Sequence, residues 1–508
     1  MAQSHPTYGG WQSERSGWFG HMSGPGFALV ATAALLLLLP LNLGSWTAAL
    51  VCVPVSLLLV GLAFGRVMGL SADEWILLAV RHQIAVATRR NIFHSGALAP
   101  RSKETGEQPM DLPGTLARLR ILEAPDGLGG RLGISHDPVA ATYTAVARVT
   151  YPGLALIDTD RQATRVAGWA ALLRTYCTED SPVTRLSVHQ RVLPDDGAAL
   201  ASWTARHISA DAPDAAVTAL TEVMEGAGPS ASARETYLSV TLSASRARLA
   251  IKGAGGGQVG AAAVLVRELH AMGQALSSAS LQVEEWLDPR GVAQTIRTAY
   301  DPEAQVMLAT RKAAAANPGW EGAAPGVDVD LAGPAYAETS MGVYRHDGAW
   351  TVSYQVRGWP QSQVYATFLQ PLLRPRANAR RSLSLVYEPL GPRRARSELA
   401  RETTKRNAAR KLRAKTGRDE SEDERRAEMI ARRQDAERAA GEGVVRMTAI
   451  LSVTVTDADE LETACAELQA DAGAANLELR RMWGTQDVGF AAGALPLGQG
   501  LPDRRGAF

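Results

Sequence analysis

The chain has 508 residues, 53 Lys and Arg against 52 Asp and Glu, and three cysteines. A charge so balanced excludes a globally basic nucleic-acid binder. Cys52, Cys177 and Cys465 are far apart and form no CxxC pair, which excludes a disulfide scaffold and fits a reducing compartment.

In chain order, residues 1–25 are expected to form a cytoplasmic tail. Two apolar stretches follow almost back to back, Gly26 to Leu43 and Ser45 to Phe64. At ~1.5 Å rise per helical residue each would just cross a ~30 Å hydrocarbon core. The expectation is a tight transmembrane hairpin over 26–64, turning at Leu43-Gly44-Ser45, with Pro40 and Pro54 tolerated inside it. Arg15 precedes the pair and Arg66, Arg81, Arg89 and Arg90 follow it, whereas the turn is uncharged. By the positive-inside rule the protein is expected to be a multi-pass cell-membrane protein with both termini cytoplasmic. Trp11, Trp18 and Trp46 are residue types that settle at the membrane interface.

Residues 71–90 (SADEWILLAVRHQIAVATRR) read as an amphipathic helix with Asp73 and Glu74 in its first turn and Arg89-Arg90 at its close. Such a helix is expected along the inner membrane surface. A weakly ordered stretch over 95–113 follows. The remainder is read as α+β units at 116–225, 230–310 and 334–390, a charged helical arm at 391–441, and a C-terminal strand–helix–strand with its tail at 442–508. Strand composition marks 118–124, 131–135, 141–151, 184–192, 234–244, 248–252, 281–286, 341–346, 350–358, 382–387, 446–455 and 478–483. Helical patterns fall at 158–176, 197–208, 215–224, 260–276, 289–300, 362–373 and 459–471. Strand pairs split by helices suggest a membrane-anchored α+β protein built from ferredoxin-like sandwiches. The Ala-, Pro- and Gly-rich segment 312–333 reads as a linker. In the arm, Arg393 to Arg418 is net basic, which leaves contact with nucleic acid or acidic lipid open beside a plain solvated or partner-binding role.

One segment could carry chemistry. Gly253-Ala254-Gly255-Gly256-Gly257-Gln258-Val259-Gly260 contains GxGxxG at Gly255, Gly257 and Gly260, after an expected strand and at the start of a helix. That is the pattern with which a dinucleotide fold brings backbone close to a pyrophosphate. Glu284 and Glu285 would then stand where a ribose-binding acid is needed. The strands before the loop look antiparallel, so a flexible crossover loop is the competing reading. The sequence contains no GxxxxGK[ST], no HExxH and no GxSxG, and its nine histidines are scattered. Neither catalysis, nor a cofactor, nor a metal is expected.

Two resemblances follow from these residues. The apolar hairpin followed by Leu70-Ser71-Ala72-Asp73-Glu74-Trp75-Ile76 resembles the small PrgI/VirB-type inner-membrane subunits of Gram-positive type IV secretion systems. Downstream, the chain resembles the N-terminal, non-motor domain of VirB-type conjugation ATPases and related actinobacterial membrane proteins. The matching segments are Thr142–Tyr151, Leu186–Val192 ending in Leu193-Pro194, the arm Arg393–Arg438, and Arg480–Leu497. In that family, the phrase Gln486-Asp487-Val488-Gly489-Phe490 through Leu495-Pro496-Leu497-Gly498 resembles the close of the domain before the motor. The resemblance implies a non-catalytic inner-membrane scaffold of a secretion or conjugation channel. It would dock a separate motor ATPase beside other channel subunits and assemble as a homo-oligomer within the larger complex. EccE, a type VII secretion component, shares the same outline and is the alternative; the ADEW helix and the closing Leu495-Pro496-Leu497 favour the conjugation-type reading. A membrane-bound nucleotide-binding enzyme using the glycine loop is the third.

Overall fold

The computed structural model describes Tyr8, Trp11, residues 24–67, 69–95, 111–151, 153, 157–194, 203–204, 207–209, 211–227, 232–315, 322, 324–376, 379–401 and 441–501, and a few single positions within 402–440. Most of the expected weakly ordered stretch, most of the charged arm, Arg15, Trp18 and much of the expected helix at 197–208 lie outside the described residues.

The fold is mixed α/β. Helices α1 (Gly24–Asn42) and α2 (Trp46–Phe64) pack on each other, with the Ser56 hydroxyl donating to the Ala33 carbonyl at 3.2 Å. Among the described residues one helix, α2, is long and apolar enough to cross a membrane, with a mean hydropathy of 2.4. The apolar stretch described in α1, Gly26–Pro40, is too short at ~1.5 Å per residue to cross a ~30 Å core. The expected multi-pass protein with two spans is corrected accordingly. The Trp11 ring stacks on Trp359 and lies beside Phe368, with centroids 5.9 and 5.4 Å apart.

A two-residue ladder, β1 (Arg66–Val67) on β2 (Leu70–Ser71), leads into α3 (Ala72–Ala87). Asp73 and Glu74 occupy its first turn as expected, while Arg89 and Arg90 fall beyond its end. One side of α3 packs through Leu78 toward Gly484. Ile76, Leu77, Val80 and Ile84, at helical spacing on the other side, are exposed.

The rest builds one antiparallel sheet of thirteen strands. The strands and helices, in chain order, are β3 (Ile92–His94), β4 (Arg120–Pro125), β5 (Arg131–Asp137), β6 (Thr142–Thr150), α4 (Thr159–Thr175), β7 (Val183–Pro194), α5 (Asp214–Ala227) and β8 (Ser232–Ser243). Next come α6 (Arg248–Gly253), α7 (Gly257–Ser278), β9 (Gln282–Trp286), α8 (Pro289–Tyr300) and α9 (Ala304–Ala315). The last group is β10 (Tyr336–Thr339), β11 (Tyr344–His346), β12 (Ala349–Gly358), β13 (Arg380–Leu390), β14 (Val444–Val455), α10 (Leu461–Ala474), β15 (Glu478–Arg481) and α11 (Gln486–Gly493). The sheet order is β3-β10-β11-β12-β14-β13-β7-β8-β6-β5-β4, with β9 added on β6 and β15 on β12.

That order contains a repeat. The run β6–α4–β7–β8–α7–β9 places its strands as β9-β6-β8-β7, and β12–β13–β14–α10–β15 places its own as β15-β12-β14-β13. Each first strand also carries a hairpin partner, β5 or β11, on the part of its edge that β9 or β15 leaves. The halves join through β7 and β13, antiparallel, with His189 opposite Ser384 near the middle of the pairing. Exchanging the halves therefore maps β7 onto β13, which is an approximate two-fold relation.

Side chains keep the relation. The Thr144 and Thr241 hydroxyls bond across β6 and β8 at 2.9 Å, and Thr351 and Thr454 do so at the matching place across β12 and β14 at 2.8 Å. Arg148–Glu285 across β6 and β9 corresponds to Arg480–Gln355 across β15 and β12. The sheet thus runs on across the expected unit boundaries: β7 and β8, assigned by sequence to separate units, pair along their length.

Two local expectations differ from what is found. Arg248–Lys252 is helical rather than a strand, and 362–373 holds only a 3-10 turn, Gln370–Leu373. Pro371 lies inside that segment and can neither donate a backbone bond nor continue a helix. Half of the expected 312–333 linker is folded in, since α9 runs to Ala315 and Val327 and Ala332 are buried.

Both faces of the sheet are covered. On the first, Ala145, Ala147, Leu238, Val240 and Leu242 pack under α4 and α7, while Val352, Tyr354, Leu451 and Val453 pack under α10. Each such buried Leu or Val side chain contributes about 1.5–3 kcal/mol. The second face carries Thr144, Ser187, Ser239, Thr241, Ser353, Ser382 and Ser452, all buried, beneath α8, α11 and the segment from Ala494.

Candidate functional site

Small residues on the second face let the C-terminal segment lie flat on it. A Cβ on Gly489 would come within 2.6 Å of the Ser353 Cβ, and one on Gly493 within 2.5 Å of the Ser452 hydroxyl, so neither position admits a side chain. The Ser382 hydroxyl donates to Gly493 O at 2.8 Å, Ser239 to Pro496 O at 2.5 Å, and Arg185 Nη1 to Gly498 O at 2.9 Å. Gln486 is fully buried; its side-chain carbonyl accepts from the Ser353 backbone N–H at 2.8 Å and its amide donates to Ser353 O at 3.4 Å. The phrase from Gln486 to Gly498 is therefore a strap across both halves.

Beneath the strap lies the polar centre of the molecule. Arg191 on β7 donates to Glu235 Oε2 at 2.6 Å and to the Tyr237 hydroxyl at 3.1 Å, both on β8, and to Thr295 O and Thr298 Oγ1 of α8 at 3.3 Å. Burial works against the Arg191 charge, but Tyr237 and Glu235 hold its pKa above the ordinary value. Burial likewise works against the Glu235 carboxylate, and Arg191 keeps it below its usual range. Arg380, on β13, donates to Pro302 O; burial and then repulsion from Arg191 bring its pKa down to about 10. His189 is wholly buried, and desolvation, followed by the Arg191 charge, keeps it neutral.

A second buried histidine closes an aromatic cluster. His346 Nδ1 donates to Tyr300 O at 2.6 Å and Nε2 accepts from Thr351 Oγ1 at 2.7 Å, the arrangement of a neutral ring. Burial lowers its pKa to about 4. Phe490 packs against it and against Tyr300 and Tyr344, with ring centroids 4.7, 4.7 and 5.1 Å away.

The glycine loop is a corner between two helices. Gly255, Gly256 and Gly257 all take positive φ, which suits glycine. The Gly255 and Gly256 amides donate back to Lys252 O and Ile251 O at 3.4 and 2.8 Å, capping α6. Gly260 lies in α7, where a Cβ would sit 2.5 Å from Ile251 O, so its smallness serves helix–helix contact. A dinucleotide site needs a strand before the turn and amides turned to the ligand. Here a helix precedes the loop, and two of the amides are spent. Glu285 pairs with Arg148 at 3.5 Å and Lys312 at 3.8 Å.

The charged arm is rooted on both halves. The backbone N–H of Arg393 donates to Glu179, beyond α4, and Arg174 of α4 pairs with Glu442 at 3.3 Å where the arm returns. Arg446 at the start of β14 pairs with Glu388 at 3.4 Å and with Glu398. The arm and the 195–231 insertion that holds α5 occupy the same place in their halves, between β13 and β14 and between β7 and β8.

A groove of about 640 Å³ opens at the seam on the first face, lined in part by Gln190, Arg234, Phe368, Leu373 and Arg374. It lies beside the β12–β13 connection, in which the described residues hold no α-helix to match α4. Tyr8 exchanges two 2.8 Å backbone hydrogen bonds with Val364 on its wall.

Sequence reasoning did not single out Arg191, Glu235 or Arg380. The one available signal was Ser187, His189 and Arg191 on alternate positions of a strand, a polar face that reads equally well as a solvated one. No family model matches the chain, and no curated protein matches it.

Proposed function

We propose that the protein is a non-catalytic, membrane-tethered platform of a secretion or conjugation channel that docks a separate motor ATPase. The observation that carries this reading is the root of the charged arm. The start of the 391–443 insertion is held to the first half by the Arg393 N–H on Glu179 and to the second by Glu398 on Arg446, and its end to the first half by Glu442 on Arg174. A long charged element held that way is positioned to orient a partner. The two halves are read as ferredoxin-like units joined edge to edge, a reading supported by the strand order repeated in each. Tethering is assigned to α2, and the exposed Ile76, Leu77, Val80 and Ile84 of α3 suit the lipid interface beside it. The resemblance to the non-motor domain of VirB-type ATPases supplies the class of partner, other channel subunits and several copies per assembly, with EccE-type components as the second reading.

Deleting residues 391–441 should leave the chain in the membrane fraction and remove the motor from what co-purifies after gentle detergent extraction. Mass spectrometry of the native extract reads both. A VirB-type ATPase lost on deletion supports the proposal; an FtsK-like ATPase with type VII components moves it to the second reading. A motor retained in full without the arm rules the arm out as the docking element.

A further inference from the structure

A cavity of about 30 Å³ lies on the polar face of the seam, between Arg191 of β7, Thr298 and Ala299 of α8, Arg380 and Ser382 of β13, and Ala494 of the strap. It sits where the two halves, α8 and the strap all meet. Arg191 Nε and Arg380 Nη1 are buried there and have no hydrogen-bond partner among the described residues. Arg191 is 6 % exposed.

The two guanidinium groups at the cavity are unequally paired. Arg191 is paired with Glu235, whereas Arg380 donates to the neutral Pro302 carbonyl; among the described residues Glu235, Asp301 and Glu303 act on it only from beyond ion-pair distance. Two guanidinium groups on adjacent strands, Arg191 buried and Arg380 half-buried with its Nη1 turned from water, repel each other at reduced dielectric. A buried unpaired donor costs about 1–3 kcal/mol, more when charged. One small negative guest between the two would answer both costs.

We propose that this cavity is a binding site for one small monovalent anion of chloride size, held by the Arg191 and Arg380 guanidinium groups. Phosphate and sulfate are too large for the volume. Bound there, the anion fastens β7 to β13 and both to α8 and the strap, so it acts as a clip on the seam and not as a substrate.

The test is thermal unfolding of the full chain in detergent at fixed ionic strength, replacing sodium gluconate stepwise by sodium chloride and, separately, by sodium bromide. The midpoint should rise saturably, by on the order of 2 °C. Arg380→Met should abolish the rise, while Arg374→Met, at an exposed position, should keep it. Crystals grown in bromide should give an anomalous peak between the two guanidinium groups, a readout that stands if Arg380→Met folds poorly. Identical midpoints in chloride and gluconate, a rise that survives Arg380→Met, or only water in the cavity of the bromide crystal would overturn the proposal.

Discussion

Arg191→Ala is expected to lower the unfolding free energy by about 3–5 kcal/mol, nearer the lower figure because Glu235 keeps a quarter of its side chain exposed. The loss has two parts. Glu235 and Tyr237 lose the donor that Arg191 supplies to both, and the Thr295 carbonyl on α8 loses its contact. The cation also stacks over the Tyr237 ring, 5.2 Å from its centroid, and that contact goes too. Removing the charge alone leaves a carboxylate facing the protein interior without its counter-ion. The double variant Arg191→Met with Glu235→Gln should therefore recover a good part of the loss, since pairing matters more than charge. Urea denaturation of the single and double variants measures this. A single-variant loss below about 1 kcal/mol would mean that the polar centre is not closed in solution.

Phe490→Ala is expected to cost a similar amount, about 3–5 kcal/mol. The ring is fully buried and meets Tyr300 from α8 of the first half, together with Tyr344 and His346 from β11 of the second. Truncation opens a cavity that His346 cannot fill without leaving its own hydrogen bonds to Tyr300 O and Thr351. Phe490→Leu, which keeps most of the volume, should cost less than half as much. Thermal unfolding of the two variants side by side gives the comparison. Equal and small losses for both would mean that the strap from Gln486 to Gly498 is not seated on the sheet.

The central strands were legible because Val, Leu and Ala alternate with Ser and Thr in β6, β7, β8, β12 and β14. What the alternation could not tell was that the polar side is also buried. Ser239, Ser353, Ser382 and Ser452 are there because a glycine-bearing helix and strap come within contact distance, so they are small first and polar second. The repeat was hidden for a related reason: matched positions preserve burial and pairing throughout, but residue type only in a phrase of four residues, too short to stand out. Ala145 and Ala147 correspond to Val352 and Tyr354, and Arg148 to Gln355, while β8 and β14 share one phrase, Leu238-Ser239-Val240-Thr241 matching Leu451-Ser452-Val453-Thr454, opposite Thr144 and Thr351.

Local errors had local causes. Arg248–Lys252 is too short an apolar run for its period to decide between strand and helix. The run over 362–373 has helical spacing but includes Pro371. The GxGxxG pattern was real as spelling, yet its amides cap a helix. The second apolar stretch has the length and composition of a span; in the first, the described apolar part ends at Pro40. The polar centre was beyond reach of the sequence, because Arg191, Glu235, Thr295 and Arg380 meet only once β7 pairs with both β8 and β13.

The account stands on the two halves being one rigid body across β7 and β13, and native-state hydrogen exchange tests that directly. Amides of 186–192 and 381–387 should exchange only through global unfolding, as slowly as those of the β6–β8 pair inside the first half. Exchange at the seam well before the β6–β8 pair would show two hinged modules, and the platform reading would fall with the seam.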